Sequence, residues 1–211
     1  MDLITQQNPQ TDPSTDASRA VPLRLAVILA SNRHGRFGPV IAEWFLGNAR
    51  QREDFAAELV DLGEVDLPTA ISHDPSPAVR AELDKVSPVL ARADAVVVLT
   101  PEYNHSFPAS LKALVDWHFT EWQAKPVGFV SYGGMSGGLR AVEQLRQVFA
   151  EMHAVTVRDT VSFHNARGHF DDEGRHRDPA APDAAAKAML DQLAWWGRAL
   201  RTAKSAHPYT G

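Results

Sequence analysis

The chain has 211 residues, 44% hydrophobic and 22% charged, enough to enclose one substantial core and suited to a single domain of α/β size. A net charge of −5 with no local Lys/Arg cluster gives nucleic acid no footprint. The absence of cysteine excludes structural disulfides, thiolate metal sites and a cysteine nucleophile, so any chemistry needs another reactive group, which a bound cofactor would supply.

Residues 1–22 are mostly polar, with Leu3-Ile4 the only apolar pair near the start, and read as a disordered tail rather than a signal peptide. No long apolar span follows, so the expectation is a soluble cytoplasmic protein with no membrane partner. The folded domain is expected over 23–204, with 205–211 as a C-terminal tail.

Leu23 to Ala30 predicts a first buried strand, followed by the Ser31 to Gly38 loop and a helix from about Pro39 to Arg50 with Ile41, Trp44 and Phe45 apolar. A loop feeding a helix N-terminus at a strand end concentrates positive potential and suits a phosphate. Arg33 and Arg36 add charged donors there, although Arg33 also fits a solvated surface charge. Ala57 to Leu62 predicts a second strand. A polar loop through Asp66-Leu67-Pro68 then leads to a helix over about 77–92, with Val79, Leu83, Val86 and Leu90 at helical spacing.

Asp94 to Leu99 is a β-branched apolar run, the pattern of a strand buried on both faces, and Pro101 is expected to end it. The polar turn after it carries Glu102, Tyr103 and Asn104, a stacking face and an amide suited to a planar heterocycle. A helix over 110–123 is expected next, capped by Ser106 or Ser110, with Leu111, Leu114 and Val115 toward the sheet. Such a helix cannot turn Trp117, Phe119 and Trp122 all inward, so either some ring marks a partner surface or the three fill a core.

Pro126 to Val130 predicts a fourth strand, and Ser131-Tyr132-Gly133-Gly134 opens a loop that continues through Gly137-Gly138. Its glycines either let backbone approach a flat ring or simply permit positive φ. A helix with Leu139, Val142, Leu145, Phe149 and Met152 follows. Val155 to Phe163 then holds a fifth strand, shared with a turn at Arg158-Asp159. Residues 165–182 read as an exposed loop. His164, His169 and His176 with Asp171, Asp172 and Glu173 match no metal-ligand spacing, so no metal is assigned. A final helix is expected over about 184–204, with Asp183 as N-cap and Met189, Leu193, Trp196 and Leu200 on its packed face. This alternation of strand and helix implies a doubly wound α/β fold with a five-stranded parallel sheet.

The run Pro101-Glu102-Tyr103-Asn104-His105-Ser106 with Pro108, Leu111, Lys112, Asp116 and Trp117 resembles the signature turn of the NADPH-dependent FMN reductase family. That family comprises flavodoxin-like flavoproteins and includes quinone, chromate and azo-dye reductases. Ala30 to Pro39 resembles its phosphate loop, with Ala30 in place of the usual glycine, and Ser131 to Ala141 resembles its glycine-rich flavin loop. Together these segments cover about residues 23 to 165.

The resemblance implies a flavodoxin-like strand order 2-1-3-4-5, FMN as cofactor and NADPH or NADH as reductant. By the same resemblance, Ser31, Arg33, Arg36, Phe37 and Gly38 surround the phosphate. Pro101, Glu102, Tyr103, Asn104, Ser131, Tyr132, Gly133 and Gly134 border the ring system. It further implies a homodimer or homotetramer and a small electron acceptor: a quinone, free flavin, azo compound or metal oxyanion. No residue stands out as a catalytic acid or base. A flavodoxin-type electron carrier is the alternative, disfavoured by Arg33 and Arg36 in the phosphate loop and by the modest negative charge. A ligand-sensing protein that has kept only the fold is a third reading.

Overall fold

A computed structural model describes residues 21–210. The tail expected over 1–22 therefore lies almost wholly outside the described residues. The elements run β1 (Leu23–Leu29), α1 (Gly38–Arg50), β2 (Phe55–Asp61), α2 (Pro77–Arg92), β3 (Ala95–Pro101), α3 (Ala109–Asp116), β4 (Pro126–Tyr132), α4 (Leu139–Glu151), β5 (Val155–Thr156), β6 (Val161–Phe163) and α5 (Ala180–Ala206). The sheet is parallel in the order β2-β1-β3-β4-β5, as expected, and β6 pairs with β4 beyond β5. The single fifth strand is thus two short ones, which makes the described sheet six-stranded.

Every residue of β3 and β4 is buried, because helices cover both faces. On one face Leu25, Val27 and Leu29 pack with Ile41 and Phe45 of α1 and Met189 and Leu193 of α5. On the other, Ala26 and Ile28 pack with Leu90 of α2, Leu111 of α3 and Leu145 of α4. Among the described residues no helix is long and apolar enough to cross a membrane.

Two expectations for α3 are corrected. The helix expected over 110–123 stops at Asp116, because Trp122 folds back into the core. Its indole Nε1 donates to the carbonyls of Val115 and His118 at and beyond the helix end, the first of which also accepts from His118 N. Neither serine caps α3: Pro108 stands at the N-cap, Ser110 Oγ donates to the Ala30 carbonyl, and Ser106 Oγ donates to Gln144. Pro101 ends β3 as expected: it is the last residue of the strand, and its missing N–H is tolerated there because Glu102 N donates to Tyr132 O just beyond it.

Helix α5 begins at Ala180, so Asp183 lies inside its first turn instead of capping it. The carboxylate accepts from Trp44 Nε1 and Asn48 Nδ2, fastening α5 to α1. The packed face of α5 is Ala186, Met189, Leu190, Leu193, Ala194 and Gly197; Trp196 is turned outward. The 165–182 segment is not wholly exposed either, since Ala166 and Phe170 are buried in the core beside α1.

Lys125 is buried and caps the far end of the sheet, its Nζ donating to the Leu90 and Ala91 carbonyls in the last turn of α2. Burial, and next the nearby Lys204 charge, push its ammonium down to about 8. The unfolded chain then binds more protons than the folded one from about pH 8 up to the ordinary lysine value. Stability should accordingly rise across pH 8 to 10, by on the order of 2 kcal/mol. Urea unfolding at stepped pH should show this rise in the native protein and its loss in Lys125→Met; an unchanged slope in the variant would exclude Lys125 as its source.

Candidate functional site

Strand β1 pairs with β2 on one side and β3 on the other, and α1 and α2 leave on opposite faces of the sheet. The loops after β1 and β3 therefore diverge, and a crevice opens at the carboxyl ends of the strands. It is a cleft of about 440 Å³. Ser31, Arg33, Arg36 and Phe37 line it from the first loop, Pro101, Glu102 and Tyr103 from the end of β3, and Tyr132, Gly133 and Gly134 from the end of β4. Asn165, Ala166 and Arg167 complete the wall.

The floor is set by close packing. A Cβ on Gly38, the first residue of α1, would sit 2.3 Å from Ser31 Oγ and 2.7 Å from Tyr132 Oη. Only glycine lets the helix start press this closely on both hydroxyls. Ser31 and Tyr132 are 1% and 5% exposed, and neither hydroxyl makes a well-formed hydrogen bond. Burial raises the Tyr132 phenol well above the ordinary tyrosine value, with the neighbouring Ser31 hydroxyl pulling the other way. The phenol stays protonated and keeps a proton to donate.

Arg36 is committed elsewhere. Its guanidinium forms a paired contact with the Asp61 carboxylate at the end of β2 and donates to the Ser31 carbonyl at 2.6 Å. It braces the loop from behind as much as it faces the cleft, and hydrogen bonding to Asp61 raises its pKa. Arg33 lies over the Tyr103 ring at 5.3 Å from its centroid. Burial raises the Tyr103 phenol, opposed by the charges of Arg33 and Arg36.

The turn after β3 is a two-residue hairpin, with Tyr103 N donating to Ser106 O and Ser106 N to Tyr103 O. Asn104 and His105 both have positive φ, 50° and 75°. Helix α4 holds this hairpin. Ser106 Oγ donates to Gln144, Gln144 Nε2 donates to the His105 carbonyl, and Arg140 pairs with Glu102. Asn104 is exposed and outside the cleft wall, so the structure brings Tyr103 to the site and leaves the Asn104 side chain at its rim.

The glycines of the β4 loop divide into two kinds. Gly137 and Gly138 have positive φ, and a Cβ on Gly138 would sit 2.7 Å from that of Ser131, so this pair serves the turn itself. Gly133 and Gly134 line the cleft and present backbone to it. Ser131 is buried beneath the loop and donates to the Gly137 carbonyl instead of lining the cleft.

Sequence reasoning missed Asn165, Ala166 and Arg167. They sit at a short 3-10 turn (Ala166–His169) anchored by Asn165 N donating to Gly134 O and Ala166 N to Gly133 O. Phe170, an apolar residue just before the charged run that starts at Asp171, was the available signal that this segment docks on the core. His169 and His176 stack on each other beside Phe163 and Phe170. Among the described residues no three His, Asp or Glu groups converge on a metal position.

The family model for NADPH-dependent FMN reductases matches residues 23–168 of this chain. An NAD(P)H-dependent FMN reductase of Schizosaccharomyces pombe is 36% identical over 132 residues, 59% of this chain and 64% of that protein. A quinone reductase of Pseudomonas putida is 33% identical over 115 residues, 51% of this chain and 60% of that protein. The match thus spans less than two thirds of either relative's length. In fold, the chain is similar to the flavoenzyme NAD(P)H:(acceptor) oxidoreductase of Paracoccus denitrificans, with a TM-score of 0.65, 19% identity, and coverage of 83% of this chain and 97% of that one.

A buried hydroxyl without a partner costs roughly 1–3 kcal/mol. Combining Ser31→Ala with Tyr132→Phe is therefore expected to leave the ligand-free protein at least as stable as the native one. Thermal unfolding followed by circular dichroism checks this, and a melting temperature lowered by several degrees would mean that the hydroxyls are satisfied within the protein.

Proposed function

The chain belongs to the NADPH-dependent FMN reductase family, and from that premise we propose that it is an FMN-dependent oxidoreductase passing reducing equivalents from NADPH or NADH to a small acceptor, a quinone foremost. One observation carries this reading: two buried hydroxyls without partners, on Ser31 and Tyr132, stand at the start of α1 on the floor of the cleft. A helix start with hydrogen-bond donors beside it and a guanidinium at the rim fits a phosphate monoester.

In this reading Ser31, Tyr132 and the loop amides anchor the phosphate, with Arg33 supplying charge. Tyr103 offers a face for stacking, and the backbone of Gly133 and Gly134 approaches the ring without intervening side chains. Bound FMN would supply the two-electron chemistry that no side chain of this protein provides. The protein contributes placement: an over-determined hairpin on the β3 side and a protonated Tyr132 on the floor. The name of the Pseudomonas putida relative favours a quinone among the possible acceptors.

We further infer a cytoplasmic homodimer or homotetramer. Trp122 cannot serve its interface, since it is fully buried within one chain, and Trp117 is half-buried with its Nε1 donating to the Pro68 carbonyl. Phe119, Met135, Leu139 and Trp195 are among the exposed apolar side chains available instead.

Mixing FMN-loaded protein with NADPH in a stopped-flow spectrometer should bleach the flavin rapidly, and added benzoquinone should restore its colour. A tightly bound flavin that NADPH does not bleach would favour an electron carrier. Failure to bind FMN at all would overturn the reading. Tyr103→Ala should loosen FMN by about tenfold, the scale of one aromatic stacking contact.

A further inference from the structure

Four charged side chains line the cleft: Arg33, Arg36, Glu102 and Arg167. Two of them are neutralised from outside it, Arg36 by Asp61 and Glu102 by Arg140. Arg33 and Arg167 form no ion pair among the described residues, so the cleft presents two uncompensated guanidinia. They approach from different loops, and each lies over an aromatic ring, Arg33 over Tyr103 at 5.3 Å and Arg167 over Phe37 at 5.1 Å.

Arg167 is aimed at the loop after β1 although it lies 132 residues beyond it. Its Nη2 donates to the Gly35 carbonyl at 3.3 Å, a long bond that leaves the other guanidinium donors free. Its position is fixed from both sides. Ala166 is buried and its N–H is held by Gly133 O, while Phe170 is buried with its ring edge-on to Phe37 at 5.6 Å. The guanidinium is thus held beside the phosphate loop by the core and by an aromatic face.

We propose that Arg167 is a second cationic ligand of the flavin phosphate, reaching it from a different chain segment than Arg33. The inference rests on the reading that the loop after β1 holds FMN. Two guanidinia match a phosphate monoester dianion in charge, and their planar forks match its oxygens in geometry. Arg36 cannot take this part while its fork is occupied by Asp61. The contact also joins the 165–169 segment to the phosphate loop, so that anion binding adds to the ring contacts with Phe37 and the single long hydrogen bond that link the two segments there.

Affinity for FMN and for riboflavin, measured by fluorescence titration of the apoprotein, isolates the phosphate. Arg167→Gln should weaken FMN by about tenfold to a hundredfold, the worth of one charge-assisted hydrogen bond, and leave riboflavin unchanged. Arg167→Lys should recover part of the difference, and added salt should weaken FMN binding less in Arg167→Gln than in the native protein. An unchanged preference for FMN in Arg167→Gln, alongside its loss in Arg33→Gln, would overturn the proposal and leave the phosphate loop in place. Equal weakening of both ligands would overturn it as well, since Arg167 would then act only by packing on Phe37. A native protein that does not distinguish FMN from riboflavin would remove the phosphate reading and this proposal together.

Discussion

The architecture depends on burying three adjacent strands, β1, β3 and β4, on both faces. Val96, Val97, Val98, Val127 and Phe129 are fully enclosed, and a sheet with such a centre needs helices above and below. Parallel pairing and right-handed crossovers then leave one geometric freedom, the direction in which the chain departs from β1. The chain moves outward to β2 and returns past β1 to β3, so the loops after β1 and β3 separate. The cleft follows from satisfying the core, and chemistry enters only through the residues that happen to occupy those two loops.

Within the cleft, pairing decides which charges are free to act. The Arg36–Asp61 and Glu102–Arg140 pairs join neighbouring strand ends and helix starts, and each removes a charge that would otherwise face the ligand. Glu102 shows the consequence clearly: its side chain is only 7% exposed, and without Arg140 a buried carboxylate would repel any anionic ligand. What remains is positive potential at the rim, supplied by Arg33 and Arg167, and uncharged donors on the floor, supplied by Ser31 and Tyr132. That division suits an anion held at one end and a neutral planar group beyond it.

Much of this was legible in the sequence where the determinants are local. The β-branched run before Leu99 predicted a doubly buried strand, and the loops ending β1, β3 and β4 carried a resemblance long enough to predict the family. The unread parts depend on partners far along the chain. Asp183 looks like an N-cap until Trp44 and Asn48, 139 and 135 residues earlier, are seen to bind it. Arg36 looks like a phosphate ligand until Asp61 takes its fork. Trp122 continues an apparent helix until its indole is seen to fold back onto carbonyls seven and four residues before it. Arg167 sits in a charged, glycine-containing stretch whose composition reads as loop, and only the burial of Ala166 and Phe170 places it at the site.

The two walls of the cleft are built to different stiffness. On the β3 side, Asn104 and His105 occupy left-handed backbone that costs non-glycine residues roughly 1–3 kcal/mol each. That conformation persists because the hairpin is over-determined by its own paired hydrogen bonds and by Gln144 and Arg140 of α4. On the opposite side the backbone is anchored as well, by Asn165 N and Ala166 N on the β4 loop and by Arg36 on the Ser31 carbonyl, but the Arg33 and Arg167 side chains are held only by ring contacts and one long hydrogen bond. A surface already ordered adds no ordering cost when a rigid group binds against it, and long side chains held this way can adjust to an anion. In the proposed reading, the strain at Asn104 and His105 fixes the surface against which a planar group is positioned, while adaptation is left to the arginine side chains.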